Sequence, residues 1–256
     1  MTQIALVTGA ASGMGRIVAM RLAAAGWRVA AVDLNPGGLA ETAQRSPNMT
    51  TYTCDVSDPE QVRAVVEKVR GELGTIDRLV HAAGMCHVHA SALNHDVAQI
   101  KKMMDVNYIG TINLCQAVIP AMKQAGTGTV VLFASVAGWL PSPGMAGYSA
   151  SKFAVVGFID SLAYELQGSG VRLLGLCPPM VETAFLDKVR EENESVLGGA
   201  GGMSPEDVVD ALEKALSKSK TPLFVFPGEA RLAYLMRRFL PGVSRRIVAR
   251  MIKPTD

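Results

Sequence analysis

Seven short apolar runs, at residues 4–7, 29–32, 51–54, 78–81, 129–134, 171–176 and 223–226, are separated by segments whose apolar residues recur at helical spacing. That order leaves little freedom. A helical segment between two buried strands returns the chain to the edge it started from, so the strands run parallel and helices cover the sheet. Helices are expected near 14–25, 38–45, 59–72, 97–124, 146–166 and 205–217. Asp58-Pro59 and Ser204-Pro205 mark two of the starts as an N-cap followed by a first-turn proline. The expectation is an α/β chain with a doubly wound, seven-stranded parallel sheet. A chain of 256 residues fits one such domain, 1–228, followed by an extension, 229–256.

Hydrophobic residues make up 49% and charged residues 19%, and the formal net charge is +2, so there is no general attraction to nucleic acid. Cys54, Cys86, Cys115 and Cys177 are scattered without a CxxC pair, which argues against a disulfide framework or a zinc site. His87 and His89 lack a third ligand nearby, so no metal is expected. With no signal-like start and no membrane-spanning run, a cytoplasmic location is expected. Charge is nevertheless uneven: +5 from residue 229 onward, −3 before it. The tail places Leu232, Leu235, Met236 and Phe239 at helical spacing beside Arg237 and Arg238, then repeats the pattern in Val243, Ile247, Val248 and Met251. Such a basic amphipathic segment has three outlets: its own core, a second subunit, or peripheral contact with a membrane.

After the first run comes TGAASGMG, residues 8–15. Glycine weakens both strand and helix, so Gly9, Gly13 and Gly15 answer another requirement. A pyrophosphate is the candidate, because backbone approaches its oxygens only where side chains are missing and a helix start presents bare N–H groups. Asp33, followed by Leu34, ends the second run twenty residues after Gly13. A carboxylate there accepts hydrogen bonds from ribose hydroxyls and repels a 2′-phosphate; with no Arg or Lys in 8–15, NAD(H) is favoured over NADP(H).

Ser135 follows the fifth run, and Tyr148 and Lys152 lie four apart in YSASKF. Residues i and i+4 share a helix face. Taking a proton from an alcohol near neutral pH requires a base of matched pKa, whereas a free phenol titrates near ~10. One ammonium at ~4 Å and an effective dielectric of ~20 supplies about 4 kcal/mol, enough to lower the phenol by roughly three units. Ser135 would hydrogen-bond the substrate oxygen where charge develops.

Taken together, residues 8–15, Asp55-Val56, HAAG at 81–84, Asn107 in MDVNYIG, Ser135, YSASK at 148–152 and PPMVET at 178–183 resemble the short-chain dehydrogenase/reductase family. The resemblance extends over residues 3–227 and implies a Rossmann sheet, NAD(P) as cofactor and Ser135, Tyr148 and Lys152 as the catalytic triad. It implies that Asn107 holds a water relaying protons to Lys152. It also implies cofactor contacts from Gly9, Ser12, Gly13, Met14, Gly15, Asp33, Leu34, Asp55, Val56, Ala82, Ala83, Gly84, Tyr148, Lys152, Pro178, Val181 and Thr183. Two departures stand out: His81-Ala82 where the family often has Asn-Asn, and Pro179 in place of a glycine.

The substrate-facing candidates are Ser135, Val136, Trp139, Met145, Tyr148, Met180 and Phe185, with Met85, Cys86, Val88, Leu140, Pro143 and Leu186 around them. They are almost all apolar, with no Lys or Arg placed to clamp an anion, so a bulky hydrophobic secondary alcohol or its ketone is expected. Residues 182–204, which include GGAGG, would form a lid. Alternatives are an NADP(H)-dependent ketoreductase and a non-catalytic, nucleotide-binding, membrane-associated protein. Apolar residues on more than one face of 103–122 point to a homodimer, and the family resemblance to homotetramers.

Overall fold

The computed structural model describes residues 2–87, 91–141, 144–192 and 201–251. Seven strands, β1 (Ile4–Thr8), β2 (Arg28–Asp33), β3 (Met49–Thr53), β4 (Arg78–His81), β5 (Gly128–Phe133), β6 (Val171–Leu176) and β7 (Phe224–Val225), form one sheet in the order β3-β2-β1-β4-β5-β6-β7. All pairings are parallel. The order reverses between β1 and β4, where two neighbouring crossovers leave for opposite sides and open a crevice at the strands' carboxyl ends.

Successive strand residues face opposite sides, so the sheet feeds two cores. On one face Leu6, Leu79, Val130 and Leu132 pack with Val62, Val66 and Val69 of α3 (Pro59–Glu72), Leu114 and Val118 of α5 (Gly110–Ala125), and Val155 and Ile159 of α6 (Ala146–Glu165). On the other, Val7, Val80, Val131 and Leu174 meet Val18 and Leu22 of α1 (Gly13–Ala24), Leu39 of α2 (Pro36–Ala43) and Val208 and Leu212 of α8 (Pro205–Leu216). Both expected caps form: the Asp58 carboxylate accepts from the Glu60 and Gln61 amides, and the Ser204 hydroxyl from Asp207.

Two features differ from the sequence reading. The helix expected over 97–124 is α4 (Val97–Met104) and α5, joined by a π-turn over Asp105–Ile109; that local widening is invisible to a periodicity argument. Of the apolar residues on 103–122 that pointed to a paired helix, Leu114, Val118 and Ile119 are buried within one copy, whereas Val106 and Ile112 are half-buried and Ile109 is exposed. The tail follows its sequence pattern: its two helical repeats form α9 (Ala230–Phe239) and α10 (Pro241–Met251), divided where Pro241 starts the second. Within the expected lid, α7 covers Ala184–Glu192; residues 193–200 lie outside the described residues.

Candidate active site

One cleft of about 920 Å3 follows the crevice. That is the upper end of the ~300–1,000 Å3 typical of ligand pockets. Into it converge Gly9, Ser12, Gly13, Met14 and Gly15 from the β1–α1 turn, Asp33 and Leu34 from the end of β2, and Asp55 and Val56 past β3. Ala82, Ala83 and Gly84 come from the end of β4, Ser135 and Val136 from that of β5, and Pro178, Met180, Val181, Thr183 and Phe185 from that of β6. Met145, Tyr148 and Lys152 line it from the start of α6.

The glycines are needed as bare backbone. Gly9 has φ +69, and a Cβ there would lie 2.8 Å from the Ala82 carbonyl carbon; one on Gly15 would run into the Gly9 carbonyl. The turn thus packs bare backbone against the end of β4 and lines the cleft with it, the close approach a pyrophosphate requires. At the far end the Asp33 carboxylate accepts from the Ala11 amide (3.0 Å) and the Asn35 amide (3.0 Å), one on each oxygen. A lone pair remains on each oxygen for ribose hydroxyls. Arg16, just beyond the turn, is held by the Ala11 and Gly38 carbonyls and by Glu41.

Tyr148 and Lys152 share a face of α6, with the ammonium 5.8 Å from the phenol ring centroid. Lys152 is buried and its Nζ donates to the Phe133 carbonyl at 2.9 Å. Here the expected electrostatics require correction. Burial raises the phenol above its ordinary range rather than lowering it, with the Cys86 thiol adding to the rise and a hydrogen bond with the Ser135 hydroxyl opposing it. Burial also pushes Lys152 down to about 8, against the pull of Cys86 and Cys177. For each group the loss of water outweighs the neighbours that favour its charged form.

Ser135 Oγ accepts the Ala137 amide (3.1 Å), which fixes the oxygen and leaves its proton to donate. Asn107 does not line the cleft. From the π-turn its Oδ1 accepts the Met85 amide (2.8 Å), and its Nδ2 donates to the Met85 carbonyl and to Ser151 Oγ, both at 2.9 Å. Its own carbonyl accepts the Thr111 hydroxyl. His81 is buried and hydrogen-bonded to Thr8 Oγ1 at 2.7 Å, while Thr8 also accepts the Ala83 amide. This packed pair stands where the family pattern has an asparagine, and burial, reinforced by the charge of Lys152, pushes the imidazole down to about 3.

Trp139, expected to face substrate, does not line the cleft. Its ring packs edge-on against Phe224 (5.1 Å), Phe226 (5.9 Å) and Tyr234 (4.9 Å), because the short helical turn after Ser135 rotates it outward under α9. Val88, His89 and Pro143 lie outside the described residues. Sequence reasoning missed Lys102, Asp105, Val106 and Val248 as lining residues. The first three follow helical spacing and could have been found once the helix was placed. Lys102 adds a second lysine, beside Lys152, to the residues around the cleft. Val248 gave no signal, since nothing local says that a residue so late in the chain returns to the cleft.

A family model for short chain dehydrogenase matches residues 3–194. The chain belongs to that family. Among curated relatives, 2-(R)-hydroxypropyl-CoM dehydrogenase of Xanthobacter autotrophicus is 38% identical over 190 residues, covering 72% of this chain and 76% of the relative. Estradiol 17-beta-dehydrogenase 11 of Homo sapiens is 33% identical and covers 96% of this chain and 83% of its own. Among solved structures, a short-chain dehydrogenase from Streptomyces avermitilis superposes with TM-score 0.83 at 27% identity, covering 97% and 96% of the two chains. The closed form of a serine dehydrogenase complexed with NADP+ gives TM-score 0.82 at 26% identity over 88% and 94%. The chain is an oxidoreductase of the short-chain dehydrogenase type, acting on alcohol or ketone substrates.

Proposed function

We propose that the protein transfers hydride between NAD(H) and a bulky apolar secondary alcohol or ketone, with Tyr148 as the proton donor and acceptor. The observation that carries this reading is the convergence of Ser135, Tyr148 and Lys152 on the cleft that also holds the bare glycine turn. Bound nicotinamide supplies or takes the hydride. The glycine turn holds the pyrophosphate, Asp33 the ribose hydroxyls, and Val181 and Thr183 flank the nicotinamide end. Support for NAD(H) comes from the lone pair remaining on each Asp33 oxygen and from the engagement of the Arg16 guanidinium by Glu41 and two carbonyls.

With its phenol raised by burial, Tyr148 is protonated at neutral pH and set to donate to a ketone oxygen. Ser135 holds that oxygen by its hydroxyl proton. Lys152 returns the proton to the phenol, and a water held on the Asn107 carbonyl would extend the path. Met85, Val136, Met145, Met180 and Phe185 give the apolar walls and exclude water. Tyr148→Phe is expected to keep NADH binding, read by cofactor fluorescence, and to lose about 10²–10⁴ in turnover of apolar secondary alcohols. Full turnover in that variant would sink the Tyr148 assignment, and tighter binding of NADPH than NADH would sink the cofactor assignment.

A further inference from the structure

Helices α9 and α10 each have two unlike faces. Inward, Tyr234 stacks on Phe226 with ring centroids 4.4 Å apart, Ala230 and Ser244 are buried, and Val248 lines the same cleft as Tyr148. Outward, Leu232, Leu235 and Phe239 repeat at i, i+3, i+7, and Leu240, Val243 and Ile247 repeat the same spacing; all six are at least 36% exposed. Arg231, Arg237, Arg245 and Arg246 stand on the same two helices, and none is paired with a carboxylate among the described residues.

We propose that this outward face seats on an anionic lipid surface, and that the cleft draws its apolar substrate from that side. The delivery half rests on the reading of the cleft given above; the docking half does not. An apolar row bordered by unpaired arginines gains from hydrocarbon and acidic headgroups together. A second copy related by a twofold axis would instead bring arginines against arginines. Only Glu229 offers an acid in the described tail. Docking of this kind is peripheral, since no helix among the described residues is long and apolar enough to cross a membrane. Because α10 carries Val248 in the cleft and Ile247 on the outer row, the rim of the cleft and the docking face are one element.

The full chain should float with vesicles of phosphatidylcholine and phosphatidylserine, and not with phosphatidylcholine alone. Arg245→Gln with Arg246→Gln is expected to lower partitioning about thirtyfold, equivalent to ~1 kcal/mol for each basic side chain at the surface. Leu235→Ser with Phe239→Ser should abolish it while NADH binding and circular dichroism stay unchanged. Tyr148→Phe should float like the parent, which separates this result from any failure of the catalytic reading. For delivery, both tail variants should slow oxidation of an alcohol dissolved in the anionic vesicles and leave a water-soluble alcohol unaffected. Equal partitioning of parent and variants, or no flotation of the parent on anionic vesicles, would overturn docking. So would a change in sedimentation state of the serine variant without vesicle binding by the parent, since the face would then join two copies. Equal slowing on both alcohols would overturn delivery.

Discussion

Tyr148 and Lys152 lie one helical turn apart, and burial works against the charged form of each. Their proton inventory, more than either residue alone, governs turnover. Alcohol oxidation needs the pair to have given up one proton, so that the phenol oxygen can accept another. With Lys152 losing its proton near 8, oxidation is expected to rise about tenfold per pH unit below that value and to level above it. Ketone reduction needs the proton in place and should run flat at neutral pH before falling. Initial rates in both directions across this range are the check; an oxidation rate that does not change between pH ~6 and ~8 would contradict the scheme.

The stems of the segment after β6 are tied to one carboxylate. Glu182 receives both guanidinium nitrogens of Arg190 (2.8 and 2.9 Å) and the Gly202 amide, while the Glu182 amide itself donates to the Met203 carbonyl (2.9 Å). These partners hold Glu182 down to about 2, below its ordinary 4.5. A lowered carboxyl stabilises above its unfolded value and loses the contribution as pH falls toward the folded one, so the clasp holds at any pH where activity is assayed. Glu182→Gln is expected to speed amide exchange at Gly202 and Met203 by roughly tenfold, with α8 unaffected; unchanged exchange would show that the strand-like pairing alone holds the stems. Legibility was uneven at this scale. Strands, caps and the glycine turn were readable because each depends on neighbours in sequence. The π-turn at Asp105–Ile109, the outward rotation of Trp139 and the return of Val248 to the cleft depend on contacts between distant segments, and no local pattern encodes them. The sign of the Tyr148 shift failed for a related reason: charge separation can be read from spacing, whereas desolvation cannot.

For the whole molecule, the crevice between β1 and β4 is sealed beneath by the Thr8–His81 pair. An imidazole held near 3 stays neutral in the native state while the unfolded chain takes up a proton below ~6.5. A lowered histidine therefore withdraws stability as pH falls from that value, by ~1.4 kcal/mol per unit, or about 2 kcal/mol by pH ~5. His81→Asn should lose this component of acid sensitivity; urea midpoints at the two pH values provide the comparison, and parallel losses in both proteins would refute it. The aromatic stack of Trp139, Phe226 and Tyr234 has a different reach. Trp139 lies four residues after Ser135, so whatever pries the last helices from the body loosens the turn that aims the serine, and whatever steadies that turn grips the helices harder. Thermodynamic reciprocity makes these one quantity seen from two ends: a surface that captures the tail and a substrate that occupies the pocket must each alter the other's affinity by the same factor.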